Sequence, residues 1–466
     1  MTKALITFIL LLICGNTFSQ VNLPNTLSKE DKIYGLSKFW QEVNYNFIYL
    51  NKVDKEKWNN DYKKYINKVQ ETQNDYEYYR LLRKFCATLK DGHTSIHLSK
   101  SLRKLIYNTA FGDYYIRLTN IEGKAIVTGI TENKKNEIPI GTEIIKVNGI
   151  PTIEYANKYV KPYIASSTNY VLENKMISRL LSSPKGTKYN LELKKPNGQI
   201  FNLKVTHQEL TDKKIYPPYK QEKLLEFKWK ENKIAYLALN GFSDPKIISM
   251  FLEKLPEIRK AEKLIIDLRS NNGGSSNVGW QILQYFTKDD ILLKSTSRSR
   301  LHIPAYKAWG RWTKPKDTIN VSEKRKQKNK QALLSLNDNY YYSFPYNPYK
   351  IELSKKERII IPTAILIGNK TASAAEDFLI SADNQKHMTK IGQASNGSTG
   401  QPIVFDLPGG GIARVCTKED TYPNGKIFVG VGIQPDIETA LTLNDFQNNN
   451  DSTLQIALEY LNKINN

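Results

Sequence analysis

Residues 363–380 contain the stretch that decides the fold, TAILIGNKTASAAEDFLI. The apolar run at 363–367 is typical of a buried strand, and the alanine-rich run at 374–380 favours a helix. Ser373 lies at their junction, on a tight turn at the positive end of the helix, where backbone N–H groups are free. A nucleophilic serine needs this setting, but a purely structural N-cap serine has the same local pattern. The rest of the chain has to decide between the two.

A second strand-like run, Leu264–Leu268, also alternates with helical stretches, which indicates a mainly parallel sheet covered on both faces. The run continues as DLRSNNGG at 267–274. The two glycines at its end allow the backbone to approach a ligand closely, so this loop is a candidate source of N–H donors.

The pattern along the chain predicts several units. We expect a helical N-terminal domain at 20–105, a β-rich domain at 106–210 and an α/β core at 211–466. The turn Asn197-Gly198 predicts a hairpin within the β-rich domain. A polar, tyrosine-rich insertion at about 298–350 is expected to form a rim or lid over the site.

Residues 1–19 are typical of a secretory signal peptide, with an apolar run at 4–13 and a small-residue cleavage site before Gln20. This run is too short for a permanent membrane span, so the mature chain is expected to carry no transmembrane segment. The predicted location is secreted or periplasmic. A lipoprotein anchored through Cys14 is the less favoured alternative, since Ile13 is bulkier than the residue such signals carry.

Cysteine content and charge restrict the class of protein further. Beyond the signal only Cys86 and Cys416 remain, too few for a disulfide scaffold or a paired-cysteine metal site, and no HExxH motif occurs. We expect no cofactor and no metal. The net charge is +22, with one dense basic run at 324–330. Such a run can bind an acidic polymer or a membrane, but it is more often a solvated helix face. Export makes nucleic acid an unexpected partner.

Acyl transfer by serine also requires a general base. The chain has five histidines, and His93 stands out because the polar turn DGHT at 91–94 closes the helical domain. An imidazole there can project into a cleft, although a lone histidine in a turn is usually just solvated.

In their order, these pieces resemble the serine peptidase family that contains the C-terminal (tail-specific) processing proteases and the tricorn core proteases. The resemblance covers nearly all of the mature chain. Five motifs carry it: DGHT at 91–94, a PDZ-like core at 138–149, DLRSNNGG at 267–274, TASAAE at 371–376 and GVGIQPDI at 430–437.

The resemblance implies a multidomain α/β protein, with a ClpP/crotonase-like catalytic core, a PDZ-like domain at 106–210 and the helical domain before it. It makes Ser373 the nucleophile and places the oxyanion hole at the N–H of Ala374 with a glycine N–H from Gly273 and Gly274. It implies a peptide or protein substrate, recognised in some members by its C-terminus. A weak match to the carboxylate-binding loop lies at 108–113.

One departure from the family bears on the base. Ser398 stands where the processing proteases carry their catalytic lysine, whereas His93 fits the histidine of the tricorn-like branch. That branch has a serine directly before its histidine, and this chain has Gly92. Glu419 is placed by position as the distal acid, and Glu376 is interpreted as structural. Ser398 is expected to matter far less than His93.

Two alternatives stay open. One is a Ser–Lys peptidase using Lys418 or Lys390. The other is a catalytically silent protein that binds peptides or other ligands on the same fold.

Overall fold

The computed structural model describes residues 22–219 and 221–464. The predicted signal peptide and Cys14 lie outside these residues. None of the described helices is long and apolar enough to cross a membrane.

The N-terminal region is helical up to the DGHT turn. Its elements are α1 (Lys29–Asn46), α2 (Lys55–Gln70), α3 (Asp75–Ala87), β1 (Ser95–His97), α4 (Lys100–Lys104) and β2 (Ile106–Tyr107). The side chains of Ser28, Asp54 and Asn74 cap the first three helices by accepting a backbone N–H. Apolar residues at helical spacing form one core, in which Phe39 packs edge-on against Phe85.

An antiparallel sheet follows. The elements are β3 (Ala110–Phe111), β4 (Tyr114–Ile121), β5 (Lys124–Thr131), β6 (Glu143–Val147), β7 (Ile150–Pro151), α5 (Thr152–Tyr159), α6 (Asn169–Ser178), β8 (Ser183–Pro184), β9 (Lys188–Lys194), β10 (Ile200–Thr206) and β11 (Ile215–Tyr216). The strand order is β10-β9-β6-β5-β4-β3, and β11 pairs with β5. The hairpin predicted at Asn197-Gly198 is confirmed, because β9 and β10 pair across that turn.

The C-terminal half holds the large sheet. Its elements are β12 (Leu225–Trp229), β13 (Ile234–Leu239), α7 (Lys246–Ile258), β14 (Lys263–Asp267), α8 (Ser276–Leu283), β15 (Ile291–Leu292), β16 (Thr296–Arg300), α9 (Pro304–Gly310), α10 (Glu323–Leu336), β17 (Tyr341–Ser343), β18 (Tyr349–Lys350), β19 (Thr363–Ile367), α11 (Ala374–Ala382), β20 (Met388–Gly392), β21 (Pro402–Leu407), β22 (Gly411–Cys416), β23 (Lys418–Thr421), β24 (Ile437–Glu438), α12 (Leu443–Gln447) and α13 (Ser452–Lys463).

The six strands run in the order β12-β13-β14-β19-β20-β24. The β12–β13 pair is antiparallel and every other pair is parallel, so the sheet is mixed and mainly parallel, as predicted. Separate apolar clusters cover its two faces, one containing Phe251, Phe286 and Phe378, the other containing Leu461 of α13. The carboxyl ends of β14 and β19 therefore lie side by side at one edge.

Strand β1 joins the helical region to this half of the chain. It pairs antiparallel with β22, with Ile96 opposite Ala413. The same helical core includes Leu407 and Val415 from the C-terminal half. Because β1 follows the DGHT turn directly, this pairing fixes where His93 lies relative to the large sheet.

Candidate active site

Ser373 lies on a strained turn between β19 and α11. Its backbone angles are φ 56° and ψ −121°, in a region that residues other than glycine rarely occupy. Thr371 supports the turn, because its Oγ1 donates to the carbonyl of Leu268 (2.8 Å) and accepts from the N–H of Gly368 (3.1 Å). Strain of this kind costs on the order of 1–3 kcal/mol and concentrates at functional sites. An ordinary N-cap serine does not require it.

The glycine loop after β14 passes against this serine. A Cβ built on Gly273 would lie 2.8 Å from the Cβ of Ser373 and 3.1 Å from the nitrogen of Ala374. Gly273 has φ +100° and Gly274 has φ +136°. Only glycine combines these angles with so close an approach of two backbones.

The N–H groups of this loop are not equivalent. That of Gly273 donates to Oδ1 of Asn271 (2.9 Å), whose amide is held by the carbonyl of Leu239 (2.9 Å). Within the described part of the chain, the N–H groups of Gly274 and Ala374 donate to no protein acceptor. Of the two predicted glycines, Gly274 is therefore the one whose N–H is available to an oxyanion.

His93 projects from the DGHT turn toward the loop after β20. Its Nδ1 lies 2.7 Å from Oγ of Ser398. Burial lowers the pKa of His93 below its usual 6.5, and the charge of the nearby Asp91 opposes this shift. Among the described residues no hydrogen bond joins His93 to Ser373, so Nε2 is the ring nitrogen left for a reacting group.

Asp91 and Gly92 hold the histidine turn in place. The buried Asp91 carboxylate accepts from Oγ1 of Thr94 (2.6 Å), and the N–H of Gly92 donates to Oγ of Ser167 (2.9 Å). A Cβ at Gly92 would lie 2.6 Å from Oγ of Ser398. The Ser398 hydroxyl thus fills the space that a side chain at position 92 would need, which explains why a glycine stands there.

Glu376 joins the nucleophile turn to the Ser398 loop. Its Oε2 accepts from the N–H groups of Ser373 (3.0 Å) and Ser398 (3.3 Å). Its Oε1 accepts from the N–H of Gly397 (2.7 Å) and Oγ of Ser395 (2.6 Å). Burial raises the pKa of Glu376 to about 7, while these four donors act to lower it. Its structural role therefore extends beyond its own helix.

Among the described residues, no hydrogen bond or ion pair joins Glu419, the predicted distal acid, to His93. Glu419 is buried on β23, where its carboxylate pairs with Arg298 and lies 3.8 Å from Lys52. Side chains alternate along a strand, so Asp420 points the other way. The fully buried Asp420 accepts from Oγ1 of Thr399 (3.0 Å), beside Ser398, and its charge acts on His93.

The lysine alternatives are engaged elsewhere. The ammonium group of Lys390 pairs with Asp383 and Asp436, and that of Lys418 lies 3.0 Å from Asp420. Neither lysine donates to Ser373 in the described residues, and both ammonium groups already pair with carboxylates.

A cleft of about 1460 Å³ opens beside the nucleophile turn. Its walls come from β4 and α6 on one side and from the carboxyl edge of the large sheet on the other; among the lining residues are Asn108, Thr109, Arg117, Lys175, Ser270, Asn272 and Ala372. Burial lowers the pKa of Lys175. Within the described ranges no residue of 298–350 lines this cleft, so the insertion does not form its rim.

Comparisons with known proteins bear on the fold and on the class of protein. Residues 233–439 match the model of peptidase family S41. The structure of mature CPAF complexed with lactacystin is 15% identical, covers 93% of this chain and 97% of its own, and has a TM-score of 0.62. A CPAF mutant is 14% identical, covering 94% and 99%, with a TM-score of 0.64. A candidate peptidase from Parabacteroides merdae is 18% identical, covering 93% and 97%, with a TM-score of 0.50.

No curated protein matches the chain. The family match and the shared fold assign the chain to a class: it is a serine-type peptidase on a multidomain α/β fold. The part of the chain that matches peptidase family S41 contains both the glycine loop and Ser373.

Proposed function

We propose that this peptidase hydrolyses internal peptide bonds through Ser373, with His93 as general base and Ser398 as the residue that orients His93. The observation that carries the proposal is the strained Ser373 turn, which the glycine loop approaches closely and which lies next to a cleft; within the described residues the N–H groups of Ala374 and Gly274 have no protein acceptor. Strain at a serine is expected where the hydroxyl must be held exposed to a substrate.

In the first half of the reaction, Oγ of Ser373 attacks the peptide carbonyl while its proton passes to Nε2 of His93. The N–H groups of Ala374 and Gly274 stabilise the oxyanion that forms. His93 then gives the proton to the departing amine, leaving an acyl-enzyme. Water activated by the same nitrogen releases the product acid and restores the serine.

Ser398 supports the histidine in this scheme. When Nδ1 donates its hydrogen to Oγ of Ser398, the lone pair lies on Nε2, the nitrogen that must act as base. The contact also fixes the plane of the ring. In this proposal Ser398 takes the orienting role, and the small contribution expected of Ser398 from the sequence is revised.

The test is peptide hydrolysis by Ser373→Ala. We expect a loss on the order of 10³-fold or more, as for a residue acting within a coupled unit. Ser322→Ala is the matched control, because Ser322 is also a helix N-cap without a side-chain cap bond but has an ordinary φ of −57°. Parent and Ser322→Ala activities no higher than that of Ser373→Ala would favour the silent binding protein. That alternative is supported by the described residues, in which no hydrogen bond joins His93 to Ser373.

Finer assignments belong to the same proposal. The antiparallel sheet of β3–β11 supports a PDZ-like domain, and the mainly parallel sheet supports a ClpP/crotonase-like core. Helices α1–α3 support a helical N-terminal domain, which shares its core with β21 and β22. We propose that the substrate enters the cleft between β4 and Ala372, with its C-terminus available to the PDZ-like domain.

We also propose that the protein is exported, on the strength of the apolar run at 4–13. The intact mass of the protein recovered outside the cytoplasm should correspond to a chain beginning at Gln20. A mass that retains residues 1–19, or a lipid on Cys14, would contradict this.

A further inference from the structure

The insertion forms a small lobe on the surface, here called the insertion lobe (residues 301–339). Its helices α9 and α10 pack closely, because a Cβ on Gly310 would lie 2.4 Å from the carbonyl oxygen of Ala332. Gly310, Ala332 and Ser335 are the buried residues of these two helices. With so small an interior, the lobe presents most of its side chains to solvent.

The exposed side chains of the lobe are strongly basic. The lobe contains nine Lys and Arg residues and three acidic ones, Asp317, Glu323 and Asp338. Glu323 pairs with Lys326, and Asp338 pairs with Lys307 and with Arg300 and Lys55 outside the lobe. Within the structure's described ranges, no ion pair is found for Arg311, Lys314, Lys316, Lys324, Arg325, Lys328 or Lys330.

Large apolar side chains are exposed on the same lobe. Trp312 is 86% exposed, Ile319 63% and Trp309 44%. A tryptophan so fully in water is unusual for a residue that ordinarily buries most of its surface. Trp309 lies one turn before Trp312, and the backbone N–H of Trp312 donates to the carbonyl of Trp309 (3.0 Å).

Basic side chains of α10 lie beside the exposed Trp309. Nζ of Lys328 lies 4.1 Å from the ring centroid of Trp309. Arg325 and Lys324 are three and four residues before Lys328 on α10, so they lie on the same side of the helix. Indole rings and long basic side chains that project together are what a bilayer interface binds, since the rings enter the headgroup region and the cations meet its anions.

We propose that the insertion lobe docks the peptidase on the surface of an anionic lipid bilayer. A soluble polyanion would engage the cations but leave Trp312 and Ile319 in water, so the exposed apolar groups favour the bilayer. Among the described residues, none of the lobe lines the active-site cleft. The proposal does not depend on catalysis.

Vesicle co-sedimentation tests the proposal, with phosphatidylcholine vesicles compared with vesicles that also contain phosphatidylglycerol. Each cation near an anionic bilayer contributes on the order of 5-fold in affinity. Arg325→Gln with Lys328→Gln should therefore weaken binding to the anionic vesicles by roughly 25-fold. The control pair is Lys63→Gln with Lys64→Gln, two exposed lysines on α2, and it should change binding less than 2-fold.

A second pair of variants separates a bilayer from a polyanion. Trp309→Ala with Trp312→Ala should weaken vesicle binding at least ~10-fold, while Trp229→Ala, which alters a tryptophan 42% exposed on β12, should not. All variants carry the same N-terminal segment, so any contribution of that segment to vesicle binding is equal in each and cancels in the comparison. If Arg325→Gln with Lys328→Gln lost vesicle binding while Trp309→Ala with Trp312→Ala kept it in full, the bilayer proposal would be overturned in favour of a polyanion. Equal binding to both vesicle types would also overturn it.

Discussion

Replacing Ser398 with alanine removes the hydroxyl that lies 2.7 Å from Nδ1 of His93. Ser398 is 2% exposed, so water does not readily replace the lost partner. A buried polar group left without a partner costs about 1–3 kcal/mol. If this free energy is lost from the orientation of the His93 ring in the transition state, kcat/KM should fall by roughly 5- to 150-fold, since each tenfold change in rate corresponds to about 1.36 kcal/mol. His93→Ala should cost more, because it removes the base itself.

The pH dependence of kcat/KM distinguishes orientation from a general structural effect. The Ser398 hydroxyl accepts a hydrogen bond more strongly from an imidazolium than from neutral imidazole. Its removal should lower the pKa of His93 further, so the acid limb of the profile should move to lower pH. A purely structural defect would reduce the rate without moving this limb.

Thr399→Val is the matched control for Ser398→Ala. Thr399 is the next residue along the same buried loop, but its hydroxyl donates to Asp420 and not to His93. Its loss should leave the acid limb in place. The reasoning is refuted if Ser398→Ala keeps kcat/KM within 2-fold of the parent, or if Thr399→Val shifts the profile equally.

Three further predictions concern the same site. Burial lowers the pKa of His93, and only the neutral ring can act as the base. The hydrolysis rate of the parent protein should therefore rise with pH through a midpoint below 6.5. A midpoint above 7 would contradict this. Gly273→Ala should abolish hydrolysis, because the added Cβ would press on Ser373. Gly123→Ala is the control and should keep activity, because Gly123 has a φ of +76° but open space around it. Rates of hydrolysis and thermal unfolding should be measured for both variants. Glu376→Gln should lower kcat/KM at least ~10-fold, because the new amide nitrogen must face a backbone N–H in either orientation. Asp377→Asn should lower kcat/KM less, because the donors to Asp377 are serine hydroxyls, which can rotate and accept instead. If Asp377→Asn were the slower variant, Glu376 would not be the residue that joins the Ser373 turn to the Ser398 loop.

The sequence predicts the elements that carry the site because each is encoded locally. The apolar run at 363–367 and the alanines after Ser373 specify a strand, a turn and a helix, and the two glycines at 273–274 permit the close loop. The mainly parallel sheet follows from apolar runs that alternate with helical spacing.

The contacts between distant segments could not be predicted in the same way. His93 and Ser398 are 305 positions apart, and their contact depends on the pairing of β1 with β22. The pairing of Glu419 with Arg298 follows from a local pattern. The four residues of β23 alternate in direction, and recognising this strand would have placed Asp420, rather than Glu419, on the side of His93.

Covalent labelling of Ser373 by a fluorophosphonate tests the central claim most directly. An activated serine oxygen displaces fluoride from the reagent and stays phosphonylated, and mass spectrometry of the digested protein locates the label. We predict a label on the peptide that contains Ser373, no label in Ser373→Ala and a strongly reduced rate in His93→Ala. A folded parent protein whose Ser373 stays unlabelled, or which labels equally fast without His93, would contradict the account.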